Sequence, residues 1–268
     1  MQATNGDLYR TTFYGGTYGI GTVFQVTTEG TLTTLHSFDG ADGANPEAGL
    51  VQANNGKPYG TTYYGGGYGT IFDITTGDAL TMLHSFEGYP TDGSHPEAGL
   101  IQATYGNLYG TTTFGGASSA CNLDGVIGCG TIFESTPAGA VTVLFSFDDA
   151  DGAYPAAGLL LATNGNLYGT TTAGGPSGQG TIFSLSAGLG PFVETVPSSG
   201  KVGAKVTILG NNLSGSTSVT FNGTAATFTA KSSTEITTTV PTGATTGYVK
   251  VTTSTGHTLT SNVKFRVP

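Results

Sequence analysis

Short runs of β-branched and aromatic residues, separated by glycines, recur along the first two thirds of the chain. Segments of the type LYGTT end at a double glycine and alternate with GT[VI]F segments and with six-residue runs such as the one at 81–86. Side chains alternate between the two faces of a strand, so Met82, His84 and Phe86 are predicted to share one face of this run. The pattern predicts many short strands joined by tight turns, and it predicts no helix.

One tyrosine marks each copy of the repeating unit, at steps of 50, 50 and 59 residues: Tyr9, Tyr59, Tyr109 and Tyr168. A period near 50 with four strands, named a to d in chain order, is typical of a β-propeller blade. The longer last step comes from an insertion between Gly116 and Gly130, in the loop between strands b and c. The sequence therefore predicts an all-β fold with four propeller-type blades.

The double glycine that closes strand b, with strands c and d after it, resembles the kelch-type propeller. The L-Y-G-T-T-x-x-G-G and G-T-[VI]-F segments resemble more closely the GloVer tandem repeats of predicted bacterial surface and secreted proteins, over about residues 1–188. The first unit has only a stub of strand a, and the fourth stops after strand c at Ser186. Four such units would close a small propeller, form an arc of a larger ring, or pair with a second copy of the chain.

The residues from Pro191 onward follow a different pattern. The V-P-S-S-G turn at Pro197, the F-N-G-T segment that begins at Phe221 and the V-P step at Pro241 resemble the immunoglobulin-like IPT/TIG domain. This resemblance implies a β-sandwich. We therefore expect two domains, a propeller-like repeat domain at 1–188 and an immunoglobulin-like domain at 189–268.

Charge is unevenly divided between the two parts. Residues 1–190 hold two cations, Arg10 and Lys57, against fifteen acidic residues, whereas residues 191–268 hold six cations and two acidic residues. An acidic repeat domain argues against a nucleic-acid partner, because phosphates need Lys and Arg. No apolar run reaches the roughly 20 residues of a membrane span.

The chain starts inside the repeat pattern, because Met1 falls in register with Val51 and Ile101. No basic segment followed by an apolar segment, as in a signal peptide, is present at this end. We expect that upstream sequence with an export signal has been trimmed or is missing, and that the protein is extracellular or displayed on the cell surface.

Histidines and glutamates form no recognisable catalytic constellation. His36 and His84 share a strand-d position that is Phe145 in the third unit, which favours packing over catalysis. Glu47 and Glu97 recur in P-E-A-G-L segments, but nothing in the sequence singles out a carboxylate pair of the kind that glycosidases need. No catalytic residue is therefore assigned.

Aspartates recur at one place in the loop that leads from strand d to the next strand a. Asp42, Asp92 and Asp151 each precede a glycine there, while His95 stands isolated in the sequence. An Asx-type turn, in which the carboxylate accepts backbone N–H groups, is the favoured interpretation. Calcium is the alternative, since it needs six to eight oxygen ligands, and no other cofactor is expected.

Aromatic residues flank the glycine turns between strands b and c. Tyr14 and Tyr18 lie there in the first unit, Tyr64 and Tyr68 in the second, and Phe114 in the third. Exposed rings at these turns would stack on sugar rings or on peptide surfaces, and buried rings would pack between blades. Because the b–c and d–a loops emerge on the same side of a blade, these rings and the three recurring aspartates are predicted to share one ligand-binding face.

Two further features add to the candidate sites. Arg10 stands where the other three units have glycine, and it could reach a carboxylate or a ligand. Cys121 and Cys129 lie within the b–c insertion, and residence outside the cytoplasm predicts that they form a disulfide.

The predicted function is that of a secreted or cell-surface binding protein without catalytic activity, which binds carbohydrate or acts in adhesion. The fold supports this function only by analogy. A propeller-type glycan hydrolase or lyase is one alternative, and a purely structural surface array is another.

Overall fold

The computed structural model describes residues 1–75, 77 and 79–268, and every regular element in this part of the chain is a β-strand. The chain separates into two compact units: Met1–Leu160 with Tyr168–Ser184, and Leu161–Leu167 with Leu185–Pro268. The predicted domain boundary at 188/189 stays a prediction.

The repeats form antiparallel sheets in which strands that follow one another in the chain pair side by side. The first two repeats contain β1 (Leu8–Thr12), β2 (Thr22–Val26), β3 (Leu32–Ser37), β4 (Val51–Gln52), β5 (Pro58–Thr62), β6 (Thr70–Ile74) and β7 (Leu80–Ser85). The following segments are β8 (Gly93–Ser94), β9 (Ile101–Gln102), β10 (Leu108–Thr112), β11 (Phe114–Gly115), β12 (Asn122–Leu123), β13 (Val126–Ile127), β14 (Thr131–Ser135), β15 (Val141–Ser146), β16 (Leu160–Leu161), β17 (Asn166–Thr170) and β18 (Ile182–Ser186).

Two of the four blades are complete. Blade 2 has the order β4-β5-β6-β7 and blade 3 has the order β9-β10-β14-β15, each a four-stranded sheet. Blade 1 (β1-β2-β3) and blade 4 (β16-β17-β18) have three strands each. The predicted fold class, all-β with propeller-type blades, is confirmed by this arrangement.

Glycine occupies the centre of the L-Y-G-T-T motif because an aromatic ring of strand c crosses it. A Cβ atom at Gly60 would lie 2.6 Å from Cζ of Phe72, and one at Gly110 would lie 2.6 Å from Cζ of Phe133. Both rings are fully buried. Only glycine leaves room for them, so strands b and c are tied together by this pair of residues.

A β-bulge interrupts strand d of blade 2. Ile71 pairs with His84 whereas the next residue, Phe72, pairs with Met82, so Leu83 is an extra residue on β7. The predicted plain alternation of side chains along 81–86 is therefore wrong. The bulge allows Leu83 to pack against the apolar cluster between blades 2 and 3.

Consecutive blades pack through a phenylalanine that follows strand d. Phe38 of blade 1 contacts Phe72 of blade 2, and Phe86 of blade 2 contacts Phe133 of blade 3, each with ring centroids 5.3 Å apart. Burying one phenylalanine side chain contributes about 1.5–3 kcal/mol. The repeat thus encodes both a blade and its contact with the next one.

The end blades expose apolar residues at positions that are buried or half-buried in the internal blades. Ile182 of blade 4 is 84% exposed, whereas its counterparts Ile71 and Ile132 are 0% and 1% exposed. Leu32 of blade 1 is exposed as well. Self-association through these faces to complete the propeller stays a prediction.

The C-terminal unit is an immunoglobulin-like β-sandwich. Its strands are β19 (Glu194–Val196), β20 (Lys205–Leu209), β21 (Ser218–Phe221), β22 (Thr224–Ala225), β23 (Phe228–Ala230), β24 (Glu235–Thr239), β25 (Val249–Thr252) and β26 (Thr258–Thr260). They form two sheets in the orders β19-β20-β24-β23 and β22-β21-β25-β26. Val206, Ile208 and Ile236 from one sheet pack with Phe221 and Val251 from the other in a common core.

Candidate functional site

The loop between strands b and c of one blade lies beside the loop that leaves strand d of the preceding blade. Ala44 and Tyr64 exchange backbone hydrogen bonds of 2.7 and 3.0 Å across one such junction. The two sets of loops therefore share one side of the blades, as their order in the chain predicts. We call the side formed by loops 63–69, 86–100 and 113–130 the loop face of blades 2 and 3.

Each d–a loop has a left-handed backbone at the residue before its proline: Asn45, His95 and Tyr154 have φ values of 52°, 56° and 59°. This conformation is uncommon for residues other than glycine. The N–H of His95 donates to the carbonyl of Tyr68 at 2.7 Å, and the carbonyl of His95 accepts from the N–H of Thr113 at 3.1 Å. These two hydrogen bonds hold His95 between the b–c loop of blade 2 and the end of strand b in blade 3.

The side chain of His95 lies at the centre of an aromatic cluster. Its ring centroid is 4.8 Å from that of Tyr63, 5.3 Å from Tyr64, 6.0 Å from Tyr68 and 5.5 Å from Phe114. Burial lowers the pKa of the His95 imidazole, so the ring is neutral at pH 7. His95, which stands isolated in the sequence, thus contacts four aromatic rings of the loop face.

Buried polar atoms without a partner occur in His95 and in two residues next to it. Among the described residues, five buried side-chain atoms have no hydrogen-bond partner, and three of them are Ser94 Oγ, His95 Nδ1 and Thr113 Oγ1. Leaving such an atom unpaired costs about 1–3 kcal/mol. Native proteins contain few of them, so a group of three indicates a place where a polar ligand or an ordered water belongs.

A cavity of about 150 Å³ opens beside the cluster. Tyr68 and Ser94 line it from blade 2 and its d–a loop, and residues 125–127 line it from the b–c insertion of blade 3. In the insertion, β12 and β13 form a hairpin, and Cys121 and Cys129 are joined by a disulfide of 1.97 Å at its base. The hairpin tip is therefore tethered where it faces the cavity.

The predicted aromatic residues differ in exposure. Tyr64 and Tyr68 are 47% and 49% exposed, so their rings border solvent at the loop face. Tyr14 and Tyr18 are exposed in the b–c loop of blade 1, and Phe114 is buried and packs beneath the cluster. The structure thus brings Tyr64, Tyr68 and Phe114 together and leaves the other two apart, and their role in binding stays a prediction.

The recurring aspartates make hydrogen bonds inside their own loops. Oδ1 of Asp92 accepts the N–H groups of Glu87 at 2.8 Å and Gly88 at 3.1 Å, and its Oδ2 lies 2.8 Å from Nε2 of His84. Asp42 makes the corresponding contacts in blade 1. This geometry is that of the Asx-type turn.

Asp151 caps the d–a loop of blade 3 in the same way, since its Oδ1 accepts the N–H of Asp148 at 3.1 Å. Partial burial raises the pKa of the Asp151 carboxyl. In the part of the chain that the structure describes, no group of three or more His, Cys, Asp and Glu residues is arranged to hold a metal ion. Calcium binding stays a prediction.

The strand-d histidines combine packing with pairing. The ring of His36 lies 5.2 Å from that of Phe38, and the ring of His84 lies 4.9 Å from that of Phe86. Nε2 of His36 also lies 2.6 Å from Oδ2 of Asp42. The predicted packing position is therefore accompanied by a hydrogen bond that the sequence did not reveal.

Arg10 lies away from the loop face. It is exposed in the middle of β1, opposite Phe24 of β2. The structure therefore does not bring this predicted ligand-binding residue to Tyr64 and Tyr68.

Two glutamates of neighbouring repeats interact, which the sequence did not reveal. Partial desolvation and the negative charge of Glu97 raise the pKa of Glu47. Burial, followed by the charge of Glu97, raises the pKa of Tyr63 to about 12. The recurrence of P-E-A-G-L in successive d–a loops was the available signal, because neighbouring repeats place equivalent residues near each other.

A further cavity, of about 530 Å³, lies in the C-terminal unit. Lys205, Lys231, Phe228 and several threonines of β20, β23 and β24 line it. None of the five unpaired buried atoms found among the described residues belongs to its lining. Surface lysines and threonines alone define no ligand class, so the loop face remains the better candidate site.

Comparison with known proteins gives a match for each part of the chain. Residues 1–128 match the family model of the Gloeobacter/Verrucomicrobia repeat, and residues 192–267 match that of the IPT/TIG domain. No curated protein shows a match. Over the described residues there is no helix with the length and apolar character needed to cross a membrane.

Two solved structures show weak similarity to this chain. A fungal alcohol oxidase of the AA5 family, in complex with copper, is 13% identical over 99% of this chain and 74% of its own, with a TM-score of 0.37. A gluconolactonase from Xanthomonas campestris is 14% identical over 87% of this chain and 75% of its own, with a TM-score of 0.42. Similarities this low carry no argument about what this chain binds or does.

Proposed function

We propose that this chain, which carries Gloeobacter/Verrucomicrobia repeats at 1–128 and an IPT/TIG domain at 192–267, is an extracellular binding protein for neutral saccharides. Its binding surface is the loop face of blades 2 and 3, and no catalytic step is assigned to it. The observation that carries the proposal is the pair of exposed rings, Tyr64 and Tyr68, that contact buried His95. His95 Nδ1 and the side-chain oxygens of Ser94 and Thr113 are buried without a hydrogen-bond partner.

The two tyrosines are oriented by their neighbours. The ring of Tyr64 meets that of Tyr63 edge to face at 4.5 Å and an angle of 87°, and it meets the ring of His95 at 89°. Rings held in place in this way lose little side-chain freedom when a ligand binds. An aromatic ring that stacks on the C–H face of a sugar contributes about 0.5–1.5 kcal/mol, by analogy with aromatic pairs.

Electrostatics favour neutral over acidic saccharides. Fifteen acidic residues against two cations give residues 1–190 a strongly negative balance. Of the two cations, Arg10 lies in β1 and Lys57 pairs with buried Asp73 at 2.8 Å. His95 is neutral, so its nitrogens offer hydrogen bonds without attracting an anion.

The disulfide supports an extracellular location. Disulfides such as that between Cys121 and Cys129 persist in oxidising compartments and are rare in a reducing cytosol. The exposed tyrosines would then meet glycans of a cell surface or of the surrounding medium.

A glycan array probed with the full chain tests the proposal, followed by calorimetry with the best neutral ligand. Replacing both Tyr64 and Tyr68 with alanine should weaken binding about 5- to 100-fold, because two stacking contacts are lost. Tyr105→Ala is the matched control: its ring is 75% exposed but lies in the a–b turn of blade 3, outside the loop face.

The result that would overturn the proposal is an unchanged affinity in the double variant, or an equal loss in the Tyr105 control. Far-UV circular dichroism of each variant establishes that the fold survives. If no glycan on the array binds, a purely structural surface role becomes the better explanation.

A glycan hydrolase or lyase is a second candidate, supported by one observation. Partial burial, followed by the negative charge of Glu97, raises the pKa of Glu47, and a raised carboxyl pKa is a property of general acids. Reducing-end assays on polysaccharides, with Glu97→Gln and Glu47→Gln as the comparison, test this role. Product release by the parent chain that both variants abolish would establish it, and no release above the level of the variants would exclude it for those substrates.

A further inference from the structure

The cavity beside the aromatic cluster has one unpaired polar group and several apolar walls. Tyr68, Tyr89, Val126 and Ile127 supply the apolar surface. Its volume of about 150 Å³ compares with about 30 Å³ for one water molecule in the liquid. The cavity therefore admits a substituent of a few non-hydrogen atoms rather than a whole sugar ring.

Ser94 supplies the polar group. It is 1% exposed, it lines the cavity, and its Oγ has no hydrogen-bond partner among the described residues. A serine hydroxyl donates one hydrogen bond and accepts up to two. A substituent that enters the cavity with a carbonyl or an N–H group would satisfy this hydroxyl.

Tyr68 connects the cavity to the surface. Its ring is 49% exposed at the loop face and also lines the cavity. A sugar that stacks on Tyr68 can therefore direct a substituent of its ring past the tyrosine toward Ser94.

Three common sugar substituents fit these walls unequally. A carboxylate would enter beside Glu87 and Asp92, both in the adjoining d–a loop, and would be repelled. A hydroxymethyl group would bond to Ser94 but leave Val126 and Ile127 without an apolar partner. An acetamido group presents a methyl to the apolar wall and a carbonyl oxygen to the serine hydroxyl.

We infer that this cavity is a subsite for the acetamido group of an N-acetylated sugar whose ring stacks on Tyr68. The inference rests on the proposed saccharide-binding function of the loop face, and it adds the class of saccharide. Ser94 Oγ donates to the acetamido carbonyl, and Val126 and Ile127 of the tethered hairpin cover the methyl group.

Calorimetry with two matched ligands tests the subsite in the full chain. The probes are an oligomer of N-acetylglucosamine and an oligomer of glucose with the same linkage and length, which differ only at the acetamido group. The parent chain should bind the N-acetylated oligomer about tenfold more tightly or better. Ser94→Ala should weaken binding of that oligomer about two- to tenfold and leave the glucose oligomer unaffected.

A second variant fills the cavity from the other side. Val126→Phe should abolish the preference for the N-acetylated oligomer while binding of the glucose oligomer through Tyr64 and Tyr68 persists. Leu123→Ala is the control, because Leu123 is exposed in the same hairpin and does not line the cavity. Should Ser94→Ala fail to fold, Val126→Phe carries the test alone.

Each outcome decides the inference. A parent chain that binds both oligomers equally, or a preference that survives both variants, overturns the subsite and leaves the proposed function standing. The proposed subsite is also wrong if neither oligomer binds but another glycan does, and the double variant Tyr64→Ala with Tyr68→Ala abolishes binding of that glycan. If no glycan binds at all, the proposed function fails as well.

Discussion

In three blades, the side chain at the start of strand b forms a hydrogen bond with a side chain of strand c. The two residue types differ from blade to blade. Nε2 of Gln25 donates to Asp7 at 2.6 Å, Nζ of Lys57 donates to Asp73 at 2.8 Å, and Nδ2 of Asn107 donates to Glu134. Three different residue pairs therefore occupy one equivalent place in the blades, and the pair of one blade can be introduced into another by mutation.

The pair in blade 2 is the most sensitive to loss of one partner. The side chain of Asp73 is 3% exposed, that of Lys57 is 43% exposed, and Oδ1 of Asp73 has no partner among the described residues. Removing one partner of a fully buried ion pair costs about 3–5 kcal/mol. Because Lys57 stands partly in water, we expect about 2–3 kcal/mol for Lys57→Met, which corresponds to a decrease of about 5–10 °C in the Tm of a unit this size.

Urea unfolding followed by tyrosine fluorescence measures this loss in the repeats, because twelve of the thirteen tyrosines lie at or before Tyr168. The double variant Lys57→Asp with Asp73→Gln, which copies the blade 1 pair, should recover most of the stability. The reasoning is refuted if Lys57→Met unfolds at the same urea concentration as the parent chain, or if the double variant is less stable than Lys57→Met.

Three further predictions concern single features. Burial lowers the pKa of His95, so the folded state binds fewer protons than the unfolded state, and the protein loses stability as the pH falls below about 6.5. The variant His95→Asn copies Asn45, which has a φ of 52°. In urea unfolding, this variant should lose less free energy of unfolding between pH 7 and pH 5 than the parent chain. Alkylation without reductant should add no mass at Cys121 and Cys129, and two added groups would contradict the disulfide. Residues 191–268 expressed alone should give a cooperative β-type thermal transition, and a disordered spectrum would show that the boundary is misplaced.

The repeat made the blades predictable from sequence. Strands b and c follow from the L-Y-G-T-T and G-T-[VI]-F segments, since the glycine and the phenylalanine that crosses it recur together, as at Gly60 and Phe72. The bulge at Leu83 could not be predicted, because a single extra residue leaves the local pattern of strand d unchanged while it shifts the pairing with strand c.

The candidate site was predictable only in part. Tyr64 and Tyr68 carried a signal, because aromatic residues beside glycine turns tend to be exposed. The residue types at Ser94 and His95 carried no signal, since their importance arises where the d–a loop of blade 2 crosses to blade 3 and meets two b–c loops. The sequence signal for that crossing was the proline that recurs in each d–a loop. The residues before it are Asn45, His95 and Tyr154.

The central claim is that a neutral saccharide binds at Tyr64 and Tyr68, and NMR of the chain with labelled tyrosine rings tests it most directly. Saturating the protein with the best saccharide from the array should shift the ring signals of Tyr64 and Tyr68 and leave those of Tyr105 and buried Tyr9 in place. Shifts at Tyr105 without shifts at Tyr64 and Tyr68, or bound saccharide with no tyrosine shift at all, would contradict the account.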